Sequence, residues 1–340
     1  MTALALGGYT GILVGGITTC FVYCLFGAIF ANVPVEKIYR IFPKALIGSV
    51  TAVIGVNLMG FLTTYVQVGG ETTQWGMIVA LITAFSIALI AHYAKGLAKI
   101  LPFLLGTIIG YVVSIILTVT GLCPLVDFSV FQNLSLFCLP DFAFIHLGHI
   151  GTTAAITIIF TYIAYTISAM MECLSDHTAL SNIVGVDLFI TPSLSKIFIG
   201  EGFANLVSSA VGGLGACSYG EGVATTGFSR VASTAVTTVA AIMLAALGFL
   251  APVQAFIVSI PSAVFCGSAM ILYGFIAASG IKILQKVDLN KQKNLIMVSA
   301  VLSIGISGLT LGGASLSFSG TALALIVGVI LNLVLKEKEV

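Results

Sequence analysis

Apolar residues run along this chain in long unbroken stretches, not in the narrow stripes of a surface helix. A helix needs about 20 mostly apolar residues to cross the hydrocarbon core of a bilayer, and short polar breaks cut the sequence into pieces of about that length. The pattern predicts eleven spans, at residues 4–31, 43–66, 75–94, 101–120, 150–180, 198–214, 215–229, 232–257, 261–283, 293–311 and 319–335. The sixth and seventh are the least regular, because a glycine cluster lies between them.

Composition agrees with that pattern. Hydrophobic residues make up 59% of the chain and charged residues 7%, against about 25% charged in a soluble domain. The chain therefore reads as an all-α polytopic membrane protein.

The net charge of +1 says little about partners, whereas its distribution predicts topology. Lys37, Arg40 and Lys44 follow the first span, Lys95 and Lys99 the third, Lys196 the fifth and Arg230 the seventh. Lys282, Lys286, Lys291 and Lys293 surround the loop after the ninth, and Lys336 and Lys338 lie in the tail. In the eleven-span order all of them fall on one side, while the opposite loops carry Glu71, Asp127 and Asp141 and no basic residue. By the positive-inside rule the tail is cytoplasmic and the N-terminus faces outward. Met1 leads almost at once into a span without a cleavable signal pattern, so further spans upstream are expected.

The seven cysteines lack metal spacing, and most lie within spans as small apolar fillers. Cys123 and Cys138 share an outer loop, either as two free thiols or as a pair in an oxidising compartment. Asn133-Leu134-Ser135 is a glycosylation sequon only in a host that glycosylates.

Two segments resemble each other. Pro43-Lys-Ala-Leu-Ile-Gly48-Ser49, with Gly55 seven beyond Gly48, is echoed by Pro261-Ser-Ala-Val-Phe-Cys-Gly267-Ser268, with Gly274 seven beyond Gly267. The matching glycines stand 219 positions apart, on the second and ninth spans, which cross in opposite directions. Either the match is chance among residues common in membrane helices, or it marks inverted repeats, a transporter architecture with its site near the midplane. On the second reading, about three spans precede the first one present here.

The candidate chemistry begins with Glu172 and Asp176. They follow the uncharged run 150–171 and share one helical face at i, i+4 spacing. Between Lys99 and Lys196 there is no Lys or Arg to partner them. A charge at membrane depth costs on the order of 3 kcal/mol, which points to protonation, ion binding or ligand binding during a cycle. The alternative is that the helix ends at Met171 and both acids sit in interfacial water.

The second cluster is GGLGACSYGEG, residues 212–222, too rich in glycine for a regular helix. It predicts a discontinuous span: a helix to about Leu214, a short extended piece through Tyr219, and a half-helix from about Glu221. Such backbone is tolerated at this depth only where it lines a cavity, and the half-helix would offer free N–H donors. Gly215-x4-Gly220 mimics the start of a phosphate loop, but Glu221-Gly222 replaces Lys-Ser/Thr and would repel phosphate, which excludes nucleotide binding. His146 and His149 have HxxH spacing without a third ligand, so no metal site is expected.

These residues together resemble the nucleobase-ascorbate transporter family of nucleobase:cation symporters, which includes bacterial uracil and xanthine permeases. The carriers of the resemblance are Glu172 with Asp176, SYGEG at 218–222, ASGIKIL at 278–284, Asp288-x-Asn290-Lys291-x2-Asn294-Leu295-Ile296, and IGISG at 304–308. The resemblance implies fourteen spans in two inverted repeats of seven (a 7+7 fold) with core and gate domains, this chain starting at the fourth. Residues 1–32 would be a remnant of the first-repeat core and 33–147 first-repeat gate helices. Residues 148–257 would form the second-repeat core with the substrate site, and 258–340 the second-repeat gate and tail.

By the same resemblance Glu172 binds the base, and Glu221 with backbone at Tyr219 and Gly220 supplies the other half of the site. Asp176 and Glu201 match positions tied to proton coupling and to the purine branch, and Tyr273 matches a gate-side contact. This chain departs from the family pattern at Glu221-Gly222-Val223-Ala224, where the family has Glu or Gln and then Asn-x-Gly, and at Ser229-Arg230 in place of Thr-Arg. The implied activity is proton symport of a nucleobase into the cell across the plasma membrane, with uracil ahead of xanthine. Sodium is the alternative coupling ion.

Uracil presents two N–H donors and two carbonyl acceptors, which suits carboxylates facing backbone N–H groups. The expected partners are the base, the coupling ion, the bilayer and a second copy in a homodimer, with no cofactor and no nucleic acid. Sulfate and bicarbonate carriers resemble the same fold, but an anion would be repelled by Glu172 and Glu221 together. No constellation of an intramembrane protease is present, so the chain is not expected to be an enzyme. A truncated, non-transporting remnant is the other alternative.

Overall fold

The computed structural model describes residues 2–68, 71–132, 134–139, 142–213, 215, 217–309, 311–313, 316–318 and 320–335. Asn133 of the sequon, Asp141, Lys336 and Lys338 lie outside the described residues. Among the described residues the chain is helical almost throughout, and its strands form two short antiparallel pairs, Gln67–Val68 with Glu71–Thr72 and Leu311–Gly313 with Leu316–Phe318.

In chain order the first half comprises α1 (Thr2–Ala31), α2 (Val35–Ile41), α3 (Lys44–Met59), α4 (Leu62–Tyr65), α5 (Gln74–Tyr93), α6 (Leu97–Ile100) and α7 (Pro102–Val119). The second half comprises α8 (Thr152–Val184), α9 (Leu194–Ala210), α10 (Gly220–Ser229), α11 (Thr234–Leu247), α12 (Ala251–Ser259), α13 (Ser262–Leu284), α14 (Gln292–Ile306) and α15 (Gly320–Val334). Among the described residues six helices are long and apolar enough to cross a membrane: α1, α3 extended to Tyr65, α5, α7, α8 and α13. The apolar helices α11, α14 and α15 have 14 or 15 residues, and α10 only 10. At about 1.5 Å per residue α10 covers roughly half of a 30 Å hydrocarbon core. Six long helices and several shorter ones thus stand where the apolar runs predicted eleven spans.

Two further differences from the predicted spans have local causes. The run 232–257 is two helices, parted at Gly248 to Leu250, because Pro252 in the first turn of α12 starts a new helix and cannot continue the old one. The freed backbone there pairs with another segment: Cys138 N–H donates to Phe249 O (3.0 Å) and Ala251 N–H to Leu136 O (3.3 Å). The helix predicted to run to Leu214 ends at Ala210, with Gly212 in the left-handed region at φ +88°.

The chain divides into two compact units, each assembled from separate stretches of sequence. The first comprises Met1–Gly55, Asp141–Val223 and Ile276–Val340, and the second Val56–Pro140 and Ala224–Phe275.

In the first unit α1 packs against α8 and α9, and α14 against α15. Tyr23 and Phe198 meet edge to face at 5.7 Å in its core, with Phe30 5.8 Å from Phe198. The crossing of α3 with the C-terminal half of α13 is backbone to backbone. A Cβ on Gly280 would stand 2.3 Å from Ala52 N and 2.6 Å from Gly48 O, and one on Gly55 would stand 2.4 Å from Ala277 N. Small residues let helices approach this closely where lipid provides no hydrophobic drive for association.

The second unit packs α5 against α7, with Gly106 against Ile87 and Gly110 against Thr83. Hydroxyl pairs tie it together, Tyr111 with Ser259 at 2.7 Å and Thr107 with Ser268 at 3.0 Å. All seven cysteines are free thiols, Cys123 and Cys138 included.

Buried hydroxyls at Ser49, Thr51, Thr83 and Ser114 on the long helices bond back to carbonyls one turn earlier, which satisfies them without water. Large apolar side chains point outward instead, with Phe21 67%, Phe85 66% and Leu244 72% exposed. Such a surface suits lipid and not water.

The α3–α13 crossing yields the first prediction. Gly280→Val should destabilise the protein by about 1–3 kcal/mol or more through overpacking against backbone that cannot move aside. Gly274→Ala, whose new methyl meets nothing within 4 Å, should change stability by no more than about 0.5 kcal/mol. Thermal unfolding in detergent measures both, and equal midpoints for the two variants would refute the tight crossing.

Candidate functional site

Helix α8 does not end at Met171. It continues to Val184, where Gly185 closes it in the left-handed conformation, so Glu172 and Asp176 lie within a continuous helix. The alternative in which both acids sit beyond a helix end is thereby removed. Asp176 is buried and Glu172 half-buried, and Cys173 and Ser175 between them are fully buried.

The break between α9 and α10 faces these carboxylates. The Cys217 thiol donates to Glu172 Oε2 across 3.7 Å. Gly220, the first residue of α10, lies so close that a Cβ there would stand 3.6 Å from Asp176 Oδ1. Helix α9 supplies a third carboxylate: Ser218 N–H donates to Glu201 Oε1 at 3.2 Å, so that an acid on a regular helix holds backbone that has left its own. One turn later Asn205, also buried, donates from Nδ2 to Glu201 O at 2.9 Å, and its Oδ1 faces Gly215. The end of α9 is closed by Gly213 N–H bonded to Ser208 O at 2.8 Å.

Aromatic hydroxyls complete the surroundings. Tyr23, fully buried on α1, interacts electrostatically with Cys173, Glu201, Cys217 and Tyr165. Tyr165 stands two helical turns before Glu172 on α8 and interacts with Glu172, Cys217 and Glu201. His177 is held within α8, its Nδ1 2.8 Å from the carbonyl of Cys173.

Of the residues singled out in the sequence, Glu172, Asp176, Glu201, Tyr219 and Gly220 all belong to the first unit. The Tyr219 side chain is 58% exposed. The backbone of Glu221 is in the first turn of α10, but its side chain lies outside the described residues. Tyr273 lies on the part of α13 that belongs to the second unit. Tyr23, Tyr165, Asn205 and Cys217 were not anticipated. Only Cys217 carried a local signal, its position inside the glycine cluster.

Chemically, the arrangement sets carboxylate acceptors on α8 beside the first turn of α10, where N–H donors gather at a helix start and Gly222 N–H donates to Tyr219 O at 3.1 Å. Such a place can receive a small molecule that carries both N–H donors and carbonyl acceptors. Away from it, His146 packs near Tyr9 with ring centroids 5.7 Å apart, and among the described residues no three His, Cys, Asp or Glu side chains form a metal-binding group.

Comparison with known proteins places this architecture. The solved transmembrane domain of a cyanobacterium bicarbonate transporter, BicA, superposes with a TM-score of 0.55, covering 97% of this chain and 79% of that one at 16% identity, a likeness of fold. Uracil permease of Bacillus caldolyticus is 30% identical over 340 residues, covering 98% of this chain and 77% of the relative. Uracil permease of Paenibacillus larvae is 31% identical over 338 residues, covering 96% and 76%. That of Escherichia coli (strain K12) is 30% identical over 332 residues, covering 96% and 74%. These relatives are permeases, not enzymes. A model of the permease family matches residues 1–312, nearly the whole chain, and with these relatives it establishes that the protein belongs to that family, the nucleobase-ascorbate transporters.

Proposed function

We propose that this protein is a secondary active transporter that imports a nucleobase, uracil in the first instance, by proton symport with alternating access. The observation that carries the reading is Glu172 on continuous α8, beside Cys217 and the helix break that leads into α10. The names of the uracil permeases that it resembles along almost its full length support uracil over xanthine.

In this reading the carboxylate of Glu172 accepts N–H groups of the base, and backbone at Tyr219 and Gly220 with Glu221 addresses its carbonyl oxygens. Tyr273 contributes from the gate side. Asp176 carries the coupling proton, with Glu201 as a second acid in the relay. A protonated carboxylate crosses a dry interior far more cheaply than a charged one, so proton uptake would neutralise the site before it reorients.

The wider arrangement belongs to the same proposal. Residues 1–32 and 148–257 act as core, residues 33–147 and 258–340 as gate, in the inverted 7+7 pattern with eleven spans present here. The protein sits in the plasma membrane with its C-terminus and lysine-bearing loops in the cytoplasm, and pairs as a homodimer. The clustering of all 13 Lys and Arg on one side of the predicted topology supports that orientation.

Two predictions follow from the assigned roles. Uracil should raise the thermal midpoint of the purified protein more than xanthine does. Glu172→Gln should weaken binding by about 1.5–3 kcal/mol, the loss expected of a hydrogen bond to a charged group. Undiminished protection by uracil in that variant would reject Glu172 as the base-binding residue. Asp176→Asn should still exchange labelled uracil across proteoliposome membranes but lose accumulation driven by a pH gradient. Accumulation at the level of the unsubstituted protein would remove Asp176 from proton coupling.

A further inference from the structure

Glu172 has a neighbour on its own helix to which the transport reading gives no role. Tyr165 precedes it by two turns of α8, so the two side chains stand on one face. Two turns of helix rise about 10 Å, and side chains that lean alike toward the N-terminus keep that spacing. The Tyr165 side chain is 44% exposed. Tyr162, one turn earlier, is packed instead against α1, where a Cβ on Gly15 would meet its ring at 2.5 Å.

The phenol of Tyr165 faces the same helix break as the carboxylates. A Cβ on Gly215 would stand 3.7 Å from its Cε1, and it interacts electrostatically with Cys217, Glu172 and Glu201. Three contacts thus set how the break follows α8: Gly215 at Tyr165, Cys217 at Glu172 and Gly220 at Asp176. Both segments advance in the same direction, and Tyr165 marks the end nearer the N-terminus of α8. Its ring is braced there, with the Gly215 backbone on one side and the Tyr162 ring 6.1 Å away between centroids on another.

The chemistry of the ligand decides what a braced ring does at that place. A base whose N–H groups are accepted by Glu172 lies edge-on to the carboxylate. Toward the N-terminus of α8, about 10 Å of helix face, less the contact distance at each end, holds a single six-membered ring. A second fused ring needs more length and meets the phenol. It could enter only by displacing Tyr165 from the backbone behind it, the overpacking that a well-filled site resists.

We propose that Tyr165 is a specificity-determining residue whose ring closes the ligand space on the N-terminal side of Glu172 and admits one-ring bases in preference to two-ring bases. The proposal rests on Glu172 being the base-binding residue. Exclusion here is by the volume of the ring, and the hydroxyl takes no part in it.

Equilibrium binding of labelled uracil and labelled xanthine to the purified full chain in detergent tests this role. Tyr165→Ala should shift the ratio of the two dissociation constants toward xanthine by about tenfold or more, a discrimination that pocket shape can supply. Tyr165→Phe, which keeps the ring, should leave the ratio within about twofold. If Tyr165→Ala does not fold, Tyr165→Leu, apolar but shorter, should shift the ratio in the same direction by about threefold. A purely structural Tyr165 would weaken both bases alike, so an unchanged ratio in the Ala and Leu variants overturns the proposal. A shift in Tyr165→Phe as large as that in Tyr165→Ala also overturns it, because the discrimination would then belong to the hydroxyl. In both of those outcomes the unsubstituted protein still binds uracil. Binding of neither base to it defeats the base-binding reading itself, and this proposal with it.

Discussion

A polypeptide that leaves its helix inside a membrane must find partners in the protein for every backbone group it frees, because hydrocarbon offers none. The described residues between α9 and α10, 211–213, 215 and 217–219, lie outside helices, and the surrounding side chains are arranged around that fact. Glu201 catches the N–H of Ser218, Asn205 lies against Gly215, and the carbonyls of Val207, Ser208 and Ser209 take the N–H groups of Val211, Gly213 and Gly212. The polar residues 201, 205, 208 and 209 recur at helical spacing, so α9 carries a polar face on an otherwise apolar helix. That face is what allows the chain to unwind where Glu172 and Asp176 stand on α8.

Packing follows from the same solvent. Lipid tails are as apolar as leucine, so helices gain little by hiding leucine from them and associate through close van der Waals contact instead. The closest helix crossing is accordingly built on small residues, Gly48, Ala52, Gly55 and Gly280, while Phe21, Phe85 and Leu244 face outward. On α1 the rule reaches the site itself. Gly16 lets the helix lie against Ser209 at the end of α9, and Tyr23, two turns further along α1, reaches the neighbourhood of Glu201 and Cys217.

Much of this was legible in the sequence where one physical solution exists. A run of 20 or more apolar residues between charged breaks can only be a helix, and α1, α3, α5, α7, α8 and α13 fall within a few residues of the runs that predicted them. Glu172 and Asp176 stood out because acids are rare in such runs, and the glycine cluster announced a break. What stayed hidden depends on distant partners. The parting of α11 from α12 is completed by strand-like pairing with residues 136–138, more than a hundred positions away, and Gly248 and Pro252 are weak signals in an apolar stretch. The bond from Ser218 to Glu201 loops back over 17 residues, and nothing in the composition marks it. Cys217 was hidden for a chemical reason: a thiol within an apolar span is ordinarily filler, and only its position against Glu172 distinguishes it.

The separation of charges along the sequence bears on how the acids of α8 and α9 are held. Lysines and arginines stop at Lys99 and resume at Lys196, so the whole of α8 is free of them. A buried carboxylate paired with Arg or Lys is locked, since breaking such a pair costs about 3–5 kcal/mol. The contacts resolved around Glu172 and Glu201 are instead a thiol and a backbone N–H. A hydrogen bond from a neutral donor to a charged group contributes about 1.5–3 kcal/mol net, less than the cost of breaking a buried ion pair. The two contacts described at Glu172 and Glu201 thus come from neutral donors. On the proposed reading, a chain that put cations there would gain a more rigid interior and lose an exchangeable acceptor.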